Sequence, residues 1–303
     1  MDRHVGRRAL LATCAAAAAV PAAAQAPDPR ATFAALRVGA NVERWFPVAA
    51  DGHARRLGRG WWEGLRGAGF DHVRMFMPRD AGTGEDVLRL YLTAVEDAVA
   101  AGLPVLFAFN DAYGSTDPWP EPLLRAVAAR ARLFGRATDP ARVVLAPVNE
   151  PAFPNAAEWT PVRNRLLAMV RAEAPRHVLM WGGHEWCSWR SLLQQPAAPD
   201  PLTIAEVHDY EGGDAAWFRE RFGQVAEWGR RHRTPVMVTE LGGRLGHQED
   251  EAAWAADLRR GLPELRRLGL PATLWAVTHG GHWRLQQGAG PALRPLLAAA
   301  IRA

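Results

Sequence analysis

Two carboxylates stand where hydrophobic runs stop. Glu150 follows Asn149 at the end of VVLAPVNEP (143–151), and Glu240 closes all but the last residue of PVMVTEL (235–241). A polar side chain at the end of a buried apolar run costs free energy unless it has a partner or a task. Two facing carboxylates have a defined task open to them, the hydrolysis of a glycosidic bond. One protonates the leaving oxygen, and the other attacks the sugar or activates water. A gap of about 5 to 5.5 Å between them corresponds to attack, a covalent intermediate and retained configuration. Taken alone, each residue also has a plainer reading. Asn149-Glu150 fits an Asx turn with a solvated Glu, and Glu240 fits a helix-capping acid. The two carboxylates act together only if the fold brings them to one place.

The pattern around them describes such a fold. Apolar, strand-like runs recur at 36–42, 72–77, 104–110, 143–149, 177–183, 203–210, 235–241 and 272–279. Between them lie Ala-, Leu- and Arg-rich stretches with helical spacing. In 85–102 the spacing predicts an apolar face of Val87, Leu90, Tyr91, Ala94, Val95 and Ala98. Gly102 and Gly269 follow two of these stretches, as expected for helix stops. Eight strand-then-helix units predict an α/β fold, a single-domain (β/α)8 TIM barrel over residues 27–303. A doubly wound nucleotide-binding sheet is disfavoured, because RVGANVERW after the first run lacks the Gly-rich phosphate turn.

In such a barrel the C-terminal strand ends form the active face. Reading the ends of the runs collects Asn41, Arg74, Asn110, Asn149, Glu150, His208, Tyr210, Glu240 and Trp275. The plainer alternatives are ordinary ones: Arg74 as a structural ion pair, His208 and Tyr210 as half-buried polar groups, Trp275 as core. His184, Glu185, His279 and His282 also fall near strand ends, where packing is the simpler role. Trp45, Trp119, Trp186, Trp189, Trp275 and Trp283 lie at or after strand ends and offer flat faces to sugar rings. Trp228 and Trp254 fall inside helices and are expected to pack.

From GANVERWF to LWAVTHGGHW the chain resembles glycoside hydrolase family 5, the cellulase-like family of retaining (β/α)8 glycosidases. Asn149-Glu150-Pro151 matches its Asn-Glu-Pro motif, VMVTELGG its seventh-strand motif and His208-Asp209-Tyr210 its His-x-Tyr. The resemblance implies Glu150 as acid/base, Glu240 as nucleophile and Asn149 as partner of the sugar 2-hydroxyl. It places His208 beside the acid/base and Tyr210 against the nucleophile. It also implies that Arg74 keeps the nucleophile charged and that Trp275 lies under the sugar. Two positions depart from the pattern: Asn110 stands where family members commonly carry His, and Thr239 occupies a usually small position. The implied activity is that of an endo-β-1,4-glucanase acting by double displacement, with β-1,4-mannan or another β-glucan as the alternative. No metal or other cofactor is implied, and the partner is a polysaccharide or oligosaccharide met by a monomer. A metal-dependent hydrolase would want ligands such as His-x-His on the first strand, where Asn41 and Glu43 stand instead. A sugar-binding barrel without catalysis is the reading from another class, and it would need a catalytic group missing.

Composition bounds the rest. The chain has 303 residues, 49% hydrophobic and 22% charged, enough for a large core. The pI of 9.8 reflects basic residues that are all Arg rather than a charged surface, since the net charge is only +4. The arginines are scattered, so no nucleic-acid stripe is expected. Residues 1–26 carry Arg3, Arg7 and Arg8, then an Ala/Leu stretch, then small residues, which is the layout of a signal peptide. Cleavage is expected after Ala24 or Ala26, with Arg7-Arg8 compatible with twin-arginine export. The expected location is secreted or periplasmic, with no membrane attachment after cleavage. Loss of Cys14 with the leader leaves Cys187 unpaired, and it reads as a small buried hydrophobe.

Overall fold

The structure, a computed structural model, describes residues 28–43, 57–77, 84–109, 121–278, 282–288 and 290–303. Eight strands carry the fold: β1 (Val38–Asn41), β2 (His72–Phe76), β3 (Val105–Ala108), β4 (Val143–Ala146), β5 (Leu179–Gly182), β6 (Thr203–Asp209), β7 (Val236–Leu241) and β8 (Ala272–Leu274). The helices are α1 (Pro29–Ala34), α2 (Arg59–Gly67), α3 (Glu85–Ala100), α4 (Glu121–Ala137), α5 (Ala156–Glu173), α6 (Trp189–Leu193), α7 (Ala215–His232), α8 (Glu251–Leu268) and α9 (Pro295–Arg302). All neighbouring strands pair in parallel, and β1 pairs with β8, so the sheet closes into a barrel in chain order. The expected (β/α)8 architecture is therefore the one observed. The expected leader, 1–26, lies outside the described residues.

The strands read as continuous apolar runs because a parallel barrel is covered on both faces. Side chains still alternate between those faces. Along the strands, Leu106, Ala108, Val144, Ala146, Met180, Ile204 and Met237 form an inner cluster, closed by Phe33 of α1. Val105, Phe107, Val143, Leu145, Ala205, Val207, Val236 and Val238 join the layer between barrel and helices. Burying a side chain such as Phe33 stabilises the fold by about 1.5–3 kcal/mol.

Helix ends follow local chemistry. Asn155, Asp214 and Asp250 cap α5, α7 and α8 by accepting backbone N–H groups of the first turn. Gly269 ends α8 in the left-handed region, and Gly102 does so just beyond α3, both as expected. One expectation is corrected. The buried face of α3 is Leu88, Tyr91, Leu92, Val95 and Ala98, and Leu90 is 51% exposed. Leu88-Tyr91-Leu92-Val95 has the same helical spacing as the expected face, and packing against the barrel chose between the two.

The register slips where the site begins. Val207 pairs with Val238, but the next residue of β6, His208, pairs with Glu240, so Thr239 is an extra residue on β7. A bulge of this kind re-aims side chains locally. It lets Thr239 reach Glu206 and the adjacent Glu240 reach Arg74, although consecutive strand residues normally point apart. Trp228 and Trp254 are buried in the helical layer, as expected.

Candidate active site

Arg74 of β2 is the hub. Its Nη1 donates to Glu240 Oε1 at 2.8 Å and to Asn41 Oδ1 at 3.0 Å. Its Nη2 donates to Asn149 Oδ1 at 2.5 Å and reaches Glu206 Oε2 at 3.5 Å. Arg74 thus ties together β1, β2, β6, β7 and the end of β4. Asn41 is held in turn by donating Nδ2 to the Thr239 and Leu274 carbonyls. The rigid fork of a guanidinium suits such convergent acceptors, which a lysine would not satisfy together.

Glu240 receives a second donor, Tyr210, whose hydroxyl donates to Oε2 at 2.5 Å. His208 Nδ1 lies 3.6 Å from that same oxygen and 2.9 Å from Glu150 Oε1. His208 therefore stands between the two carboxylates, and one oxygen of each lies within 4.8 Å of the other. Glu150 itself has φ +47°, unusual for a residue with a side chain. The loops after β4 and β5 hold it there: Trp186 N–H donates to the Pro151 carbonyl, and Phe153 N–H to the His184 carbonyl.

The ionisation of the cluster follows from burial and charge. Burial works against a charge on Glu240 and, with the nearby Glu150, moves its carboxyl above the ordinary range. His208, Arg74 and Tyr210 oppose that rise. His208 is held charged: burial disfavours its imidazolium, but Glu240, Glu150 and Glu206 outweigh burial and raise it to about 9. Glu206 is lowered, because Arg74, His208 and Thr239 overcome the burial that would raise it. Tyr210 and Cys187 are pushed up, first by burial, and so stay protonated.

A raised histidine makes stability depend on pH. His208 contributes fully below its unfolded value, about 6.5, and the contribution is lost as pH rises through about 9. Unfolding free energy measured by urea titration is expected to fall by about 3 kcal/mol between pH of about 6 and about 9. His208→Asn is expected to flatten that slope. A wild-type protein equally stable at both pH values would show that His208 is not held as a cation.

The structure brings together Arg74, Asn149, Glu150, His208, Tyr210 and Glu240, all read from strand ends. Trp275 stands half-buried just after β8, packed against the inner cluster. Asn110, Trp45, Trp119 and His279 lie outside the described residues. Trp186 is 51% exposed on the rim beside the Glu150 loop. Trp283 packs edge-on to Tyr210, with ring centroids 5.7 Å apart. Trp189 is corrected from stacking candidate to packing residue: it is buried at the start of α6 and donates Nε1 to Glu211. Cys187 is buried, as expected, and sits close under the site. A Cβ on Gly182 would lie 2.2 Å from its Sγ, so only glycine fits there.

Sequence reading missed Glu206. It lies in TIAEVHDY two residues before His208, on the same strand face by the period of two. A charge on the inner face of a buried strand is the signal that marks it. Among the described residues, Glu150, His208 and Glu240 are the one set of acidic, His or Cys side chains close enough to grip a cation. Arg74 already brings positive charge to Glu240, so the set is suited to handling protons rather than a metal.

Comparison with known proteins agrees with this geometry. The family described as Cellulase (glycosyl hydrolase family 5) matches residues 65–281. No curated protein sequence matches the chain. Among solved structures, the cellulose synthase subunit Z (CcsZ) of Clostridioides difficile superposes with TM-score 0.75 at 15% identity, covering 88% of this chain and 99% of that one. The endoglucanase Cel5A of Thermotoga maritima superposes with TM-score 0.75 at 16% identity, covering 91% and 100%. A structure of Cel5A in complex with a mannotriose substrate gives TM-score 0.76 at 15% identity, covering 90% and 100%.

Proposed function

Since the chain belongs to glycosyl hydrolase family 5, the family matched over residues 65–281, we propose that it is a retaining endo-β-1,4-glucanase exported from the cell. The observation that carries this reading is the closeness of Glu150 and Glu240, with oxygens within 4.8 Å. That spacing suits direct attack on the sugar, whereas inversion needs about 6.5–9.5 Å to admit water between the carboxylates.

In the first step Glu240 attacks the anomeric carbon and forms an ester to the sugar. The glycosidic C–O bond breaks, and the leaving oxygen takes the proton of Glu150. In the second step Glu150 takes a proton from water, whose oxygen displaces Glu240 and restores the original configuration. Arg74 and Tyr210 aim Glu240, and His208 orients Glu150. Asn149 is proposed to contact the 2-hydroxyl, Asn110 a further hydroxyl, and Trp275 the sugar face. Trp186 offers a second exposed ring on the acid/base side of the rim.

Endoglucanases recur among the structural relatives, which favours glucan. The mannotriose complex of Cel5A makes β-1,4-mannan the second reading. The test begins with protein recovered from periplasm or culture medium, expected to start near Pro27. Reducing-sugar release is then measured on carboxymethyl cellulose, mixed-linkage glucan and mannan. Glucan hydrolysis with the β-anomer formed first, read by proton NMR, is the expected outcome. Release of the α-anomer first would overturn retention, and activity on mannan alone would overturn the glucan reading.

A further inference from the structure

Glu206 has no part in the two-step reaction, yet it lies directly beneath the residues that do. It is 0% exposed, on the inner face of β6. The next inward residue below it is Ile204, and Met180, Met237 and Ala146 are its apolar companions in the barrel. Burying a carboxylate there carries a desolvation cost that a Leu or Met filling the same space would avoid. Its Oε2 accepts from Thr239 Oγ1 at 2.6 Å and from Arg74 Nη2 at 3.5 Å. The same oxygen lies 3.8 Å from His208 Nε2, a nitrogen with no hydrogen-bond partner of its own. Glu206 therefore faces both cations of the site.

We propose that Glu206 is a positioning residue that keeps His208 and Arg74 as fixed cations, so that the negative charge of the reaction passes from Glu240 to Glu150 across a constant field. This rests on the retaining mechanism proposed above. The charge count supports it. Glu206 meets Arg74 from β2, His208 on β6, Thr239 from β7 and Cys187 after β5, and the other titratable groups around these two cations are Glu150 after β4, Tyr210 just after β6 and Glu240 on β7. Cys187 and Tyr210 stay protonated, since burial pushes both up. For the first step to run as proposed, Glu150 must hold its proton and Glu240 must be negative, while Arg74 and His208 are positive and Glu206 is negative. The cluster is then neutral. Attack turns Glu240 into an uncharged ester while Glu150 gives up its proton and becomes negative. The cluster is neutral again, and the charge has moved between two oxygens within 4.8 Å of each other. His208 Nδ1 lies 2.9 Å from Glu150 and 3.6 Å from Glu240, close enough to stabilise the charge at both stations.

Without Glu206 the buried cluster carries an unbalanced positive charge. His208 then sheds its proton more readily. A neutral Nδ1 no longer donates to Glu150; it accepts a hydrogen bond from the protonated Glu150 carboxyl instead, which turns that O–H away from the leaving oxygen. The Thr239 hydroxyl belongs to the same device, because it holds Glu206 Oε2 in place from the bulge of β7. This accounts for a threonine at a position where the family resemblance implies a small residue.

The test follows the imidazole of His208 by NMR of histidine-labelled protein, its signal identified by loss in His208→Asn. Wild-type His208 is expected to titrate near 9. In Glu206→Gln the midpoint is expected to fall by about 1–2 pH units. Thr239→Val is expected to move it the same way by less, and it decides the question alone if Glu206→Gln fails to fold. The alkaline limb of kcat/KM on p-nitrophenyl β-cellobioside is expected to shift down with the midpoint. A loss of packing alone would lower activity and leave the titration where it was. An unchanged His208 midpoint in every folded variant overturns the proposal. A shifted midpoint in an enzyme that turns over no glucan overturns the substrate reading and leaves the role of Glu206 standing.

Discussion

Glu240→Ala is expected to lower turnover roughly 10⁵-fold, the loss typical when a covalent nucleophile is removed. The carboxylate is positioned by Arg74 at 2.8 Å and Tyr210 at 2.5 Å, and water cannot copy that arrangement. Added azide gives the result its direction. In the space left by Glu240 it attacks from the face the carboxylate used, so an α-glycosyl azide forms from a β-linked substrate. The companion variant behaves differently. Glu150→Ala retains its nucleophile, so substrates with an activated phenol leaving group still form the ester. Those needing a proton lose most, because general acid help is worth about 10²–10⁴-fold. Azide then attacks the ester, and a β-glycosyl azide forms. Proton NMR of the products separates the two cases. A β-azide from Glu240→Ala, or an α-azide from Glu150→Ala, would exchange the two roles.

Arg74→Ala is expected to destabilise the protein by about 3–5 kcal/mol, the range for removing one partner of a buried ion pair. Arg74 is fully buried, and its loss leaves Glu240 and Glu206 facing each other with His208 as the remaining close cation. The catalytic effect comes through Glu240. Burial already moves this carboxyl above its ordinary range, and Arg74 is one of the groups holding it down. Without Arg74 it takes up a proton at higher pH, and a protonated carboxyl does not attack. Turnover at neutral pH is therefore expected to collapse, with partial recovery as pH rises. Arg74→Lys is expected to restore part of the stability and little activity, since an ammonium cannot serve Glu240, Asn41 and Asn149 at once. Urea titration and a pH–rate profile check both parts. A variant as stable as wild type would mean that the cluster does not depend on this charge.

Much of the site is legible in the amino-acid sequence. The runs ending at Asn149, His208 and Glu240 are apolar until their last residues, and that contrast is local information. Hydrophobic periodicity separates strands from helices, and strand-then-helix order requires a parallel sheet. The closed barrel brings the strand ends to one rim, so Arg74, Glu150, Tyr210 and Glu240 meet although 166 residues separate the first from the last. The helix stops at Gly102 and Gly269 are legible for the same local reason, since glycine alone reaches the left-handed region without cost.

The remaining features depend on contacts between segments distant in the chain. Which face of α3 turns inward is set by the barrel surface beneath it, so Leu90 is exposed while Leu88 is buried. The bulge at Thr239 exists only in the pairing of β6 with β7, and no feature of VMVTEL announces it. Trp189 is a packing residue because Trp217 of α7 meets its ring edge-on and Glu211 accepts its Nε1–H. Glu206 is in the sequence one charge within an apolar run, and its link to the site comes only from Arg74, Thr239 and His208 meeting it in space. The ionisation of His208 is the clearest case. Its residue type sets an ordinary value, and of the carboxylates that raise it only Glu206 is near in the chain. Glu240 and Glu150 come from distant segments and act by their distances, because Coulomb energy depends on separation in space and not along the sequence.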